Sequence, residues 1–249
     1  MATTPRTTAS AGTSEPRCRG LGLVEMLVAI ALGLFLVAAA AALLVAELAE
    51  QRRMLLETRL TQDLRAAADL AVHDLRRAGY WGDATSAVWQ PGAATALPAN
   101  PYSLVYPSAG NRDSAVGYAY SIDTEDQLVT SNERFGLRLN AANHTLDVRR
   151  SGAAIAPGTG DRWEALTDPA QVRITRLQIS SSEQAVSLLA RCRITTCPSN
   201  ATNCPPTIAL RVLTLELDGQ SSIDATMRRS LQTRVRLRND RLSGACPEG

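Results

Sequence analysis

Lysine is absent from this chain of 249 residues, and every cationic side chain apart from histidine is arginine. The 26 basic residues nearly balance 24 acidic ones, leaving a formal charge of +2. Net charge therefore lends no support to a nucleic-acid or acidic-membrane partner. Aromatics make up only 4%, so a core must come mainly from Leu, Val, Ile and Ala. Histidine occurs only at His73 and His144, which leaves little material for a histidine-centred site. G-x-S-x-G, Walker and H-E-x-x-H motifs are missing, so neither an enzyme nor a cofactor is expected. Proline is missing between Leu21 and Tyr80, so a helix there would carry no proline kink.

What is present first is one long apolar run. No charge falls between Met26 and Ala46, about 21 residues, enough for a helix to cross the hydrocarbon core of a bilayer. Glu25 stands at the edge of this run. A carboxylate there is costly in lipid and is a functional candidate for that reason. Residues 1–20 are rich in Thr, Ala, Ser, Gly, Pro and Arg and read as a flexible leader. Arg17 and Arg19 at its junction favour keeping that end in the cytoplasm. A cleaved secretory signal would place small residues at a cut site after its apolar core. Here a charged helical pattern follows instead.

Arg19-Gly20-Leu21-Gly22-Leu23-Val24-Glu25-Met26, with an apolar helix behind it, resembles the prepilin motif of type IV pilins and type II secretion pseudopilins. The resemblance implies cleavage by prepilin peptidase between Gly20 and Leu21 and N-methylation of the new terminus. Leu21 stands where phenylalanine is usual, and Gly22 where threonine is usual. After cleavage, Leu21 would carry a positive amine. Pairing of Glu25 with the Leu21 amine of a neighbouring subunit would neutralise both charges in a dry setting and could set the stagger between helices. Gly33 and Ala38 to Ala42 would allow those helices to approach closely.

From Glu47 the composition changes while helical periodicity continues. Leu48, Leu55, Leu60, Leu64, Ala68, Ala71, Leu75 and Ala78 recur mostly at three- and four-residue steps, one face of an amphipathic helix. Gly79 is its expected stop, with Arg76 and Arg77 in the last turn. Leu-Thr-Gln-Asp-Leu-Arg at 60–65, Asp-Leu-Arg-Arg-Ala-Gly-Tyr at 74–80 and Arg-Leu-Arg-Asn at 236–239 resemble the PilW group of minor pilins.

Beyond Gly79, residues 80–113 read as a long loop with a short strand near Ser103–Tyr106. Tyr80, Trp81 and Trp89 are expected to pin that loop onto the core. Strands are expected at Ala115–Ile122, Gln127–Ser131, Phe135–Leu139, Thr145–Arg149, Gln171–Ile179, Ala185–Ile194, Ile208–Leu217 and Ser230–Arg238, with one helical turn at Trp163–Leu166. In the last strand Leu231, Thr233, Val235 and Leu237 alternate with arginines, the pattern of a half-buried antiparallel strand. That arginine face, with Arg211, is a conceivable nucleic-acid contact, but a solvated strand face fits better without interleaved aromatics.

Of five cysteines, Cys18 would leave with the leader. Cys192, Cys197, Cys204 and Cys246 allow three pairings and do not match zinc-knuckle spacing. The expectation is Cys197–Cys204 closing a proline-rich loop and Cys192–Cys246 tying down the tail, in an oxidising compartment.

The expected fold is α+β: a long N-terminal helix, membrane-spanning in its first half, packed on an antiparallel β-sheet head. The expected segments are a leader (1–20), a transmembrane or filament-core helix (21–46), a helical stem (47–79) and an extracytoplasmic head (80–249). The resemblance implies an inner-membrane minor pilin that helps prime type IV pilus assembly. Its implied partners are other minor pilins, the major pilin, prepilin peptidase, the inner-membrane assembly platform and membrane lipid. A type II secretion minor pseudopilin of the J type and a DNA-uptake competence pilin are the alternatives.

Overall fold

The computed structural model describes residues 22–96, 98–122 and 128–247. Cys18, Gly20 and Leu21 lie outside the described residues. The chain divides into two compact units, one ending at Arg53 and one beginning at Met54. Helix α1 (Leu23–Leu75) contributes to both.

In the first unit, Ala and Leu dominate α1, and both are strong helix formers. Glu25 lies in its first turn, where the macrodipole favours an anion. The large apolar side chains here are exposed, from Leu23 at 78% to Leu48 at 47%. By length and composition α1 is able to cross a membrane.

In the second unit the same helix has a buried face. Leu60, Leu64, Ala67, Ala68, Ala71 and Leu75 are buried, at the three- and four-residue steps of one helical stripe. That stripe is entered through Leu56, which is partly buried against the core, rather than Leu55, which is 60% exposed. A turn at residues 76–79 follows the helix, closed by Gly79 at φ 77, a left-handed conformation that glycine adopts without strain. The Gly79 N–H then donates to the Ala119 carbonyl at 2.8 Å, fastening the helix end to the head.

Ten strands follow among the described residues: β1 (Val105–Tyr106), β2 (Arg112–Asp113), β3 (Ala115–Ala119), β4 (Arg134–Asn140), β5 (Thr145–Ser151), β6 (Arg162–Ala165), β7 (Val172–Ser187), β8 (Thr207–Ser221), β9 (Arg228–Arg236) and β10 (Arg241–Ser243). They form two antiparallel sheets. One has the order β1-β3-β4-β5-β6; in the other β10-β8-β7-β2 is joined by β9, which also pairs with β8. β4 and β5 make the expected hairpin, in register from Asn140↔Thr145 to Gly136↔Arg149. The pilin-like α+β architecture is therefore present, with two sheets in the head where one was expected.

The core lies where the second half of α1 meets both sheets. Val116, Tyr118 and Leu137 from the first sheet, and Ile174, Leu213, Leu215 and Leu217 from the second, share it with Leu60, Leu64 and Leu75. Fully burying each leucine stabilises by about 1.5–3 kcal/mol. β8 supplies alternate residues, Ala209 to Gly219, to this side. A Cβ on Gly219 would sit 2.8 Å from the Leu64 Cδ2, so glycine here admits the helix.

One helical and two strand expectations are corrected. Trp163–Leu166 forms no helical turn, because Trp163 to Ala165 are in β6, paired with β5. β7 is one continuous strand to Ser187, and a short helical turn at Leu189–Arg191 replaces the second half of the expected Ala185–Ile194. Of the expected Gln127–Ser131 strand, residue 127 lies outside the described residues. Ser131 begins a single turn, where the Glu133 carboxylate accepts the Thr130 N–H at 2.9 Å in a capping box.

Candidate functional site

Two regions carry functional chemistry, and each is built by its own unit. The first is the start of α1. Glu25 is the third residue of the helix, among N–H groups without intrahelical partners. The Met26 N–H already donates to the Gly22 carbonyl at 3.1 Å. Glu25 is exposed, and the apolar side chains of Leu23, Val24, Leu27 and Val28 around it are exposed as well. The arrangement presents one carboxylate on an otherwise uncharged helical surface. What it can do is accept a cation within an apolar assembly, where an unpaired charge would cost several kcal/mol.

The second region is the head surface around the end of the stem. Asp74 sits near the end of α1 and accepts hydrogen bonds from Tyr118 and, at 3.1 Å, from Tyr120. Arg77 lies 4.0 Å above the Tyr120 ring, which stacks on Phe135 at 4.0 Å. Burial, with the neighbouring Asp74 charge, pushes the Tyr118 hydroxyl well above the ordinary tyrosine range. The same causes, in the same order, raise Tyr120. Both phenols therefore stay neutral donors to Asp74, and the cluster is a fixed clasp between stem and head. Asp74 lies off the apolar stripe of the stem, so helical periodicity alone does not point to this contact. The phenols at i and i+2 were the signal that a polar group would meet them on one side.

Arg211 is not part of a surface patch. It is 6% exposed and donates to the carbonyls of Ser103 and Asn239, the latter at 2.6 Å. Burial lowers its pKa. It shares the strand parity of Leu213, Leu215 and Leu217, which already marked it as inward. Arg228, Arg234 and Arg236 remain on the exposed face of β9. Arg236 pairs with Asp240 at 2.8 Å, and Arg229, on the opposite parity, reaches Glu57 at 2.7 Å.

A second buried cation was also missed. Arg149 on β5 pairs with Asp161 at 2.7 Å, with side chains 0% and 1% exposed. It also donates to the carbonyls of Ala154 and Ile155, at 2.6 and 3.0 Å. The loop from Gly152 thus wraps a guanidinium, and a Cβ on Gly152 would fall 1.7 Å from the Arg149 Nη2.

Cys192 joins Cys246 across 54 residues, and Cys197 joins Cys204 across 7. The Cys246 N–H donates to the Ala93 carbonyl at 2.9 Å, so the tail also holds the long loop. Trp81 is buried at 4%, while Tyr80 is 50% exposed. Both line an open groove of about 400 Å³ with Asn100, Arg238, Asp240 and Leu242. No cluster of His, Cys, Asp and Glu able to hold a metal occurs among the described residues.

Comparison with known families bears on both regions. The model described as "Prokaryotic N-terminal methylation motif" matches residues 16–41. The model described as "Prepilin peptidase-dependent protein B" matches residues 53–237. No curated protein and no solved structure matches the chain significantly.

Proposed function

The chain belongs to the prepilin peptidase-dependent protein B family, and from that premise we propose that it is a minor pilin of the PilW type that helps prime type IV pilus assembly. At the coarser level it is a pilin-like protein with an N-methylation motif, and pilin-like families are structural subunits rather than enzymes. The observation that supports a processed, membrane-anchored subunit is the methylation-motif match at residues 16–41, continued by a helix whose apolar side chains are exposed; the PilW-type reading rests on the resemblance at residues 60–65, 74–80 and 236–239.

In this reading prepilin peptidase cuts between Gly20 and Leu21, and Leu21 becomes the methylated amino terminus. Residues 21–46 anchor the chain in the inner membrane and later enter the filament core. Glu25 pairs with the Leu21 amine of a neighbour, and so acquires its partner only after the cut. The head lies on the periplasmic side, where the four cysteines oxidise. Other minor pilins, the major pilin and the assembly platform are its partners.

The test is intact-mass and N-terminal analysis of protein extracted from membranes with and without prepilin peptidase. The expected product begins at methylated Leu21 only when the peptidase is present. A chain still beginning near Met1 in its presence would overturn the reading. Gly20→Ala is expected to block the cut. Deletion then separates the machines: loss of pili supports the pilus role, and loss of type II secretion assigns the chain to a pseudopilus.

A further inference from the structure

β9 is an edge strand with its outer side open. Among the described residues it pairs only with β8, in unbroken register from Val212↔Arg236 to Gln220↔Arg228. The parity of its backbone groups follows from the two ends of that ladder. Leu237 N–H donates to the Arg211 carbonyl at 3.0 Å, and Ser221 N–H donates to the Met227 carbonyl at 3.1 Å. Both pairs are odd-numbered, and antiparallel ladders alternate every second residue. The odd residues of β9 therefore bond to β8. The N–H and C=O groups of Arg228, Ser230, Gln232, Arg234 and Arg236 turn to the open edge. These residues are exposed, and the strand's 9 residues give an edge about 30 Å long.

Such an edge invites another strand, and natural proteins usually blunt it with a bulge, a proline or charge. β9 has no register shift against β8 and no proline. Charge is its one such device, and that charge has a single sign. Arg228 and Arg234 make no ion pair among the described residues. The nearby acids on β8, Glu216 and Asp218, pair with Arg176 at 3.1 and 3.6 Å, and Glu216 also accepts from the Gln232 side chain at 3.3 Å. A second copy docked edge to edge would set Arg228 opposite Arg236 when antiparallel, or each arginine beside its twin when parallel. Like charges directly opposite are destabilising. An acidic strand meets the reverse situation: its backbone completes the ladder, and its carboxylates find Arg228 and Arg234, which have no acidic partner among the described residues.

We propose that the open edge of β9 is a docking site for an extended acidic segment of a partner protein, added to the second sheet as a further strand through Arg228, Ser230, Gln232, Arg234 and Arg236. Main-chain hydrogen bonds supply the affinity, and the arginines select the sign of the partner and exclude self-pairing. The inference stands on the geometry of the strand and not on processing at Gly20, so either can fail alone.

The test uses the full chain in detergent micelles. The probes are a peptide alternating Glu and Val, about as long as β9, its Lys–Val counterpart and a single-stranded oligonucleotide. Binding is read by fluorescence anisotropy and by hydrogen exchange. The Glu–Val peptide is expected to bind and to slow exchange at the amides of Ser230, Gln232 and Arg234. Gln232→Pro removes an outward donor without touching the β8 ladder, and Arg234→Glu reverses one charge. Each is expected to weaken binding by about tenfold while leaving thermal unfolding of the head unchanged. If Gln232→Pro disturbs the fold, Arg234→Glu and the exchange pattern carry the test. Absent binding, equal binding of the Lys–Val peptide, binding without edge-amide protection, or preference for the oligonucleotide would each overturn the proposal.

Discussion

Replacing Asp161 by Asn removes the counter-charge of a guanidinium that cannot reach water. Asp161 accepts from Arg149 at 2.7 Å and from the Gly158 N–H at 2.8 Å. Asn keeps the shape but only one oxygen, so the charge is lost together with one accepted hydrogen bond, because Oδ1 accepts from Arg149 and Oδ2 from the Gly158 N–H. Breaking a buried pair by removing one partner costs about 3–5 kcal/mol, and the lower end applies here because the Asp161 backbone reaches the surface. A loss of about 3 kcal/mol lowers the midpoint of a head of this size by about 6–12 °C. All three tryptophans, Trp81, Trp89 and Trp163, lie in the unit beginning at Met54. Tryptophan fluorescence during urea unfolding in micelles therefore reports the head without interference from the apolar helix. The pH dependence separates charge from packing. Burial would raise the Asp161 pKa, but the Gly158 N–H and Arg149 outweigh it and hold the carboxyl below the usual range. A group with a lowered folded pKa contributes stability above its unfolded pKa, and that contribution is lost as pH falls through the folded value. The gap between wild type and Asp161→Asn should thus be full at neutral pH and close as pH drops below the ordinary aspartate value of about 3.9. A neutral-pH loss under about 1 kcal/mol, or a gap independent of pH, would refute this account of the pair.

Four further outcomes are expected. Glu25→Ala should leave cleavage at Gly20 largely intact by mass spectrometry yet abolish assembly; normal filaments would remove the pairing model. Leu64→Ala empties a site 1% exposed between stem and sheets and should cost about 2–5 kcal/mol in urea unfolding. Cys192→Ser with Cys246→Ser opens a closure of 54 residues and should cost about 4 kcal/mol, against about 2 for the pair separated by 7, measured under oxidising conditions. Glu133 is buried, yet hydrogen bonds from Thr130, Tyr102 and Ile122 bring its pKa below the usual value. Glu133→Gln should therefore flatten the fall in head stability that wild type shows as pH descends through and below the carboxylate range.

Much of this architecture is legible in the residues. The shift from an uncharged run to a three-and-four periodic helix marks α1. The alternation of Leu231, Thr233 and Val235 marks β9, because a sheet with one wet face has a period of two. Other features escape periodicity because tertiary partners decide them. Ser180-Ser181-Ser182 reads as a break, yet β7 runs through it, paired residue by residue with β8 as far as Ser187. Trp163 reads as the start of a helical turn, but β5 offers it a free edge. Strand parity turns Arg211 inward, yet no local pattern shows that the carbonyls of Ser103 and Asn239 will receive it, or that Asp161 will meet Arg149. The start of α1 shows the reverse limit. Its motif identifies Glu25 as special, while a single chain contains no second terminus for that carboxylate to meet.

The bond between Cys192 and Cys246 also has a consequence in time. A chain that emerges amino end first delivers its stem and all ten described strands before residue 246 appears. Helix α1 and the β4–β5 hairpin can form early from local contacts. Cys246 follows all ten described strands, and only once it has emerged can the loop be caught between Cys192 and the Ala93 carbonyl. Closure of the head is thereby a report that all ten described strands have arrived. A truncated chain could still present the apolar helix to its neighbours, but it would carry an unlatched head with a free thiol at Cys192.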